Sequence, residues 1–291
     1  MYKAIAANKR NTILIMAVFF VLIAGLGYLF SIIYGSMGIF WGTMVGATIY
    51  ILIQYFVSAK LALSMNGAKQ IQKSDNPRLY RIVENLSITE GMPMPKVYIV
   101  DDPAINAFAT GRDPRHAHVA ATTGILDNLN DRQLTAVMAH EMGHVKNYDI
   151  RVMMIVFGLV SAIGLLADVF MRMMWFGGGD NRQSNPIFLI IGIAAAILTP
   201  IIAMIIQLAV SRQREYLADA TGAMTTRDPE ALASALEIIG KVGSGVSRQN
   251  GSTAHLFFAN PLKGASMAKF FSTHPPVEER IKRLRSMSSE F

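Results

Sequence analysis

The sequence predicts a mainly α membrane protein, with four transmembrane helices in two hairpins and a cytosolic α+β domain carrying a small β-sheet. Three observations predict it. Of 291 residues, 52% are hydrophobic and 16% charged, with a mean hydropathy of +0.35, a balance foreign to an ordinary soluble domain. The charge-poor stretches are long enough to cross a bilayer, and they fall in two pairs. Residues 60–151 and 211–291 instead carry amphipathic and alternating patterns rich in charge.

Residues 1–59 form the first hairpin. Lys3, Lys9 and Arg10 precede a charge-free run from 11 to 59, broken at Gly35-Ser36-Met37-Gly38. A span needs about 20 apolar residues, so the run holds two helices and a tight turn. A cleaved signal peptide would be shorter and would not be followed at once by a second span. Basic residues lie before the first span and after the second, at Lys60, Lys69 and Lys73, and none lies in the turn. The positive-inside rule therefore places the N-terminus and everything after Lys60 in the cytoplasm.

Residues 60–151 form the first part of the cytosolic domain. Helical spacing runs from 76 to 90 and is broken by Gly91-Met92-Pro93-Met94-Pro95, and short β-type runs follow at 96–100 and 118–121. Asn106-Ala107-Phe108-Ala109-Thr110-Gly111 lies between those runs. As an edge strand it would pair with an extended peptide, which makes Asn106, Ala107 and Phe108 candidate binding residues; a plain core strand fits the same pattern. Asn130 and Gln133 then read as a capping box opening a helix whose Leu134, Met138, Met142 and Val145 share one face.

That helix carries His140-Glu141-Met142-Gly143-His144. Residues four apart on a helix lie about 40° apart around the axis, so both imidazoles can aim at one metal ion. Glu141 lies about 100° round from His140, placed to touch a metal-bound water without ligating the metal. The chain has no cysteine, so any metal is held by nitrogen and oxygen. Candidates for a third ligand are Asp149, His116, His118, Glu215, Asp219, His255 and His274. Glu215 is the best, because Asp219 one helical turn later offers a partner for the outer N–H of a ligating histidine.

Residues 152–210 form the second hairpin. The stretch 152–175 is interrupted by Asp168 and Arg172, spaced to pair near a helix end; 186–210 is charge-free with a kink expected at Pro200. Gly177-Gly178-Gly179-Asp180-Asn181-Arg182 joins them. Two spans separate His144 from Glu215, so both return to the same side of the bilayer. If each helix simply continues out of the membrane at 1.5 Å per residue, His144 is about 12 Å and Glu215 about 7 Å from the membrane segments, which puts the metal just under the cytosolic face. Residues 211–291 complete the cytosolic domain: a helix over 211–223, a second opened by Asp228-Pro229 and running to about Lys241, a loop over 243–260 and an amphipathic helix from Pro276.

Four separated motifs now stand in order: Asn106 to Gly111, His140 to His144, Glu215-Tyr216-Leu217-Ala218-Asp219, and His274-Pro275-Pro276-Val277-Glu278-Glu279-Arg280-Ile281. With two apolar hairpins in this arrangement, the whole chain resembles the HtpX-type membrane zinc metalloproteases, relatives of the CaaX prenyl proteases. The resemblance implies a zincin-like (gluzincin) catalytic domain and one Zn2+ per chain, with His140, His144 and Glu215 as ligands and Glu141 catalytic. It implies a multi-pass endopeptidase of the bacterial cell membrane, active site to the cytosol, that cleaves damaged or misfolded membrane proteins during heat or envelope stress. By the same route His274 is a candidate oxyanion or substrate contact and Arg280 a site-organising cation, against a plain turn and a solvated helix face. His116 and His118 match no ligand of that family and read as strand residues.

The reaction expected is metal-assisted peptide hydrolysis, Glu141 taking a proton from water and passing it to the leaving amine. A metal-binding scaffold without catalysis would have no use for Glu141. A transporter using Asp168 and Arg172 as path residues is the third reading, and flux in liposomes separates it from proteolysis. The net charge of +7 and pI near 9.6 do not imply nucleic acid: the basic residues gather beside apolar segments as orientation signals facing an anionic leaflet. The partners expected are the lipid bilayer and membrane-protein substrates.

Overall fold

A charge-free helix has no soluble face, so two in succession are stable only against each other and against lipid. The computed structural model of the chain describes residues 2–33, 35–159, 161, 212–247, 253, 256–259 and 275–287. In it, helix α1 (Tyr2–Ile33) and helix α2 (Met37–Met65) form a hairpin turned at Gly35, whose φ of 63° suits a residue without Cβ. Tyr28 and Phe40 meet edge to face beside the turn. Trp41, Val45, Ile49, Ile53 and Phe56 of α2 are each more than half exposed, an apolar stripe that water would not tolerate. Both helices are long and apolar enough to cross a membrane. At 1.5 Å per residue α2 is about 43 Å long, more than the roughly 30 Å hydrocarbon core of a bilayer, and its C-terminal end packs on the rest of the chain. There Ala62 and Leu63 pack into a cluster with Phe108 and Phe257.

The sheet has the order β1-β2-β4-β3. Strand β1 (Ala68–Gln70) pairs antiparallel with β2 (Lys96–Val100), β2 runs parallel to β4 (Ala117–Thr122), and β4 pairs antiparallel with β3 (Ala107–Gly111). The run expected at 118–121 is longer by one residue at each end. β1 was not legible: three residues carry no periodicity, and it forms because β2 offers an edge. Helix α3 (Pro77–Glu90) opens where Asn76 Oδ1 accepts from Leu79 N at 2.9 Å and closes at Gly91, φ 62°. After the short helix α4 (Thr123–Asn128), helix α5 (Asp131–Lys146) opens with the expected Asn130–Gln133 capping box.

Residues 149–159 form helix α6. Its Val152, Val156 and Leu159 cluster with Ile15 and Phe19 of α1, and Tyr50 of α2 donates to Gly158 O at 2.7 Å. Helix α6 therefore leaves the domain alongside the first hairpin. The remainder of the expected second hairpin, with Asp168, Arg172, Pro200 and the loop 177–182, lies outside the described residues. Helices α7 (Arg212–Thr226), α8 (Pro229–Val242) and α9 (Val277–Met287) complete the chain, α8 capped by Asp228 with Pro229 at its first position.

The main core joins α3, α5, α8 and the sheet through Leu79, Val83, Val119, Leu134, Met138 and Leu236, all fully buried. Helix α7 reaches α5 through small residues. A Cβ on Gly222 would stand 3.0 Å from His140 N, and one on Gly143 3.5 Å from Ala218 Cα. A side chain at Gly222 would press on the His140 backbone, while one at Gly143 would meet ordinary contact, and the close crossing brings together ligands that lie far apart in sequence. The described fold is mainly helical, with two candidate membrane helices and a small mixed four-stranded sheet.

Candidate metal centre

Three side chains converge at the α5–α7 crossing. His140 Nε2 and His144 Nε2 are 3.2 Å apart, Glu215 Oε1 lies 3.4 Å from His144 Nε2, and Glu215 Oε2 lies 3.7 Å from His140 Nε2. A tetrahedral zinc ion with bonds of about 2.0–2.2 Å holds its donors roughly 3.4 Å from one another, so this triangle has zinc dimensions. His140, His144 and Glu215 are 0%, 5% and 2% exposed.

Each imidazole is backed by a carboxylate at its other nitrogen: Asp219 Oδ1 is 2.9 Å from His140 Nδ1, and Asp149 Oδ2 is 2.9 Å from His144 Nδ1. That arrangement keeps the proton on Nδ1 and leaves the Nε2 lone pair free for a metal. Asp149 is aimed by the α5–α6 turn, where Tyr148 takes a φ of 62°, unusual for a residue with a side chain. Asp149 Oδ1 in turn accepts from Asn8 Nδ2 of α1 at 2.6 Å, and the same amide donates to Asn147 O at 2.9 Å. One hydrogen bond thus separates the first apolar helix from the carboxylate behind a ligand. Asp219 is held by Arg280 of α9, Nε to Oδ2 at 2.9 Å and Nη2 to Oδ1 at 2.7 Å. Arg280 also lies over the Phe258 ring at 4.8 Å, and Phe258 meets the His140 ring edge to face at 4.9 Å.

The electrostatics ask for a cation. Glu141, Asp149, Glu215 and Asp219 are buried here, with Arg214 and Arg280 as the buried guanidiniums beside them. Among the described residues, four carboxylates against two guanidiniums leave two negative charges when all four are ionised, a deficit that a divalent ion removes. Burial pushes His140 down to about 4. Burial also opposes a charge on His144, but the Asp149 hydrogen bond and the Glu215 charge outweigh it and raise that imidazole to about 9. One histidine thereby takes up a proton where a metal would supply positive charge. Burial likewise works against an ionised Asp219, yet the Arg280 charge holds it far below the carboxylate range.

Glu141 is 1% exposed, accepts from the Ala109 N–H of β3, and keeps Oε1 without a partner among the described residues. Burial, reinforced by the Glu215 charge, pushes its carboxyl up to about 7, where it can both take and return a proton.

Other expected residues fall elsewhere. Asn106 is fully buried: its Nδ2 donates to Ser244 O and Ala259 O, and its Oδ1 accepts from Ala259 N. Ala107 O accepts from Phe258 N at 2.8 Å, and the Phe108 ring packs on Phe257 at 5.0 Å. The chain's own residues 256–259 therefore cover the outer edge of β3 at these three positions, which the sequence reads either as an open edge or as a plain core strand. His116 pairs with Asp113 in the β3–β4 connection and His118 packs on Tyr98, both apart from the ligand triangle. His255 and His274 lie outside the described residues. Asn8, Phe258, Gly143 and Gly222 were not singled out from the sequence. The glycines had the signal of small residues one helical face from the ligands; Asn8 had none.

Residues 73–288 match the description Peptidase family M48. Along its whole length the chain is 55% identical to a protease HtpX homolog of Tropheryma whipplei strain Twist, again over the whole of that protein. Its identity is 42% to the Streptococcus uberis homolog and 44% to the Ligilactobacillus salivarius homolog, over 99% of this chain and all of each relative. In fold it resembles the crystal structure of S. mikatae Ste24p, with a TM-score of 0.53 and 19% identity over 98% of this chain and 67% of that one. With its ligand triangle intact, the chain belongs to peptidase family M48 and is a zinc metallopeptidase whose metal is held by His140, His144 and Glu215.

Proposed function

We propose that this peptidase is an endopeptidase embedded in the bacterial cell membrane, cutting misfolded or damaged membrane proteins at the cytosolic face as part of protein quality control. The observation that carries the reading is the chain Asn8–Asp149–His144, which ties a membrane-type helix to a metal ligand. A centre built that way works at the lipid surface. Helix α6, entering beside α1 and α2, supports two further spans between 152 and 210. The domain division then becomes a hairpin over 1–59, catalytic halves over 60–151 and 211–291, and a second hairpin between them.

Zinc, when bound, supplies a Lewis acid that polarises the scissile carbonyl and makes water acidic. Glu141, whose Oε1 has no partner among the described residues, takes the water proton and returns it to the departing amine. Asp219 and Asp149 orient the two imidazoles, and Arg280 keeps Asp219 ionised. A peptide pairing with β3 would use the edge beyond Phe108 or displace residues 256–259. His274 remains proposed as a substrate contact.

The test incubates purified full chain in detergent with an unfolded membrane protein, with and without a zinc chelator. Fragments are expected only without the chelator, and Glu141→Gln should bind zinc in metal analysis yet cut nothing. Cleavage of soluble unfolded chains but not of membrane ones would overturn the substrate assignment. Single cysteines placed at Ser36 and Ser286, in a chain with none of its own, report orientation: an impermeant thiol reagent added to intact cells should label only the first.

A further inference from the structure

A cavity of about 350 Å3 opens where the charge-free stretch of α2 ends. Phe56 and Lys60 line it from α2, Lys96 from β2, Arg112 and Arg115 from the β3–β4 connection, and His118 from β4. Its volume falls at the small end of ligand sites, roughly 300–1,000 Å3.

Three features of this cavity point to one class of ligand. Four full cations face it, and among the described residues no carboxylate lines it. Asp113, beside Arg112 in sequence, is engaged by His116 Nδ1 at 2.8 Å and by Arg112 Nε at 3.7 Å. His118 is 8% exposed, its ring is held edge to face on Tyr98 at 5.5 Å, and its Nδ1 has no hydrogen-bond partner among the described residues. A buried ring nitrogen left unpaired costs free energy unless something entering the cavity meets it. The third feature is position. Arg112 is stacked over Phe56 at 5.2 Å, and Lys60 is the first charge after the apolar run, so an aromatic and cationic rim stands at the level of lipid headgroups.

We propose that this cavity is a binding site for the phosphate headgroup of an anionic phospholipid in the leaflet facing the catalytic domain. The pre-stacked Arg112 fork grips the phosphate oxygens, Lys60, Lys96 and Arg115 supply point charge, and His118 Nδ1–H donates the neutral hydrogen bond. Burial and the nearby Lys96 and Lys60 charges hold His118 down to about 4, so it stays neutral at physiological pH and takes the donor role without adding charge. A lipid seated here would clamp the β3–β4 end of the sheet to the bilayer and fix the height of the metal centre above it. The proposal rests on reading α2 as a membrane span.

The experiment places the full chain in nanodiscs of phosphatidylglycerol and phosphatidylcholine in equal amounts and counts retained lipids by native mass spectrometry. The parent should enrich phosphatidylglycerol. Lys60 and Arg115 are exposed, so the double variant Lys60→Gln, Arg115→Gln should fold; its enrichment should fall about 25-fold, about fivefold for each charge removed at the membrane surface. His118→Phe should lower enrichment with the ring volume kept. The control Lys241→Gln, Lys282→Gln removes the same charge from exposed sites on α8 and α9 and should leave enrichment intact. A parent without enrichment, or an equal loss in the control, overturns the site. Release of the lipid by excess inorganic phosphate makes it a free-phosphate site and also overturns the proposal. Enrichment unchanged in the double variant, together with lost cleavage of acidic peptides, would make the cavity a substrate pocket instead. Failure to enter nanodiscs at all overturns the membrane reading, an outcome distinct from the others.

Discussion

Replacing Arg280 with methionine removes a guanidinium that is 1% exposed and holds both oxygens of Asp219. Methionine fills much of the same space, so the loss is chiefly charge and donors. Asp219, 3% exposed, would then be a buried carboxylate with His140 as its remaining partner among the described residues. Breaking one half of such a pair costs about 3–5 kcal/mol, and the lost contact over Phe258 adds about 1 kcal/mol. At about 2–4 °C per kcal/mol for a chain of this size, the pair alone predicts a fall of roughly 6–20 °C in melting temperature. Adding Asp219→Asn removes the stranded charge while keeping an acceptor for His140. The double variant should therefore be at least about 2 kcal/mol more stable than the sum of the single changes. Thermal melts of the four proteins in detergent, zinc-loaded and zinc-stripped, give the cycle. Arg280→Met within about 1 kcal/mol of the parent, or strict additivity, would refute the claim that Arg280 neutralises Asp219.

Other perturbations reach the same centre from different sides. Asp149→Ala should weaken zinc binding about 10–100-fold by freeing the His144 ring, and Asn8→Ala should weaken it less, through Asp149; competition with a zinc indicator measures both, and unchanged affinity in Asp149→Ala would rule out the positioning role. Gly222→Val drives a side chain into the His140 backbone, so it should separate α7 from α5 and lose zinc; a variant that keeps full zinc occupancy would show that the crossing is not what aligns the ligands. His118 predicts a pH effect. Its folded-state value of about 4 lies below the unfolded value near 6.5, so the native state binds fewer protons between the two. Stability is undiminished above about pH 6.5 and declines as pH falls toward 4, by at most about 2 kcal/mol at pH 5. His118→Phe should lose less melting temperature than the parent on going from neutral pH to about pH 5; an identical drop would assign the acid sensitivity elsewhere.

How much of this was legible follows from the range of each signal. The capping box at Asn130 and Gln133, the Asp228-Pro229 start of α8 and the buried face of α5 depend on residues within about one helical turn, and the structure shows each where the spacing put it. The first pair of apolar stretches and the positions of His140, His144 and Glu215 were equally readable, because bilayer thickness and zinc coordination restrict composition and residue type directly. Asn106 to Phe108 show the opposite: alternation marked a strand but could not say that residues 256–259 lie on its outer edge.

What the sequence by itself determined is the donor set, the helix that carries two of the donors and the apolar hairpin, all consequences of local periodicity and side-chain chemistry. Only tertiary structure decided which carboxylate stands behind which histidine, that Asn8 reaches Asp149, and that Arg280 is sealed beneath Asp219. Those partners are set by the close crossing of α5 and α7 at Gly143 and Gly222 and by the left-handed turn at Tyr148. Both depend on how whole elements pack, which no window of neighbouring residues encodes.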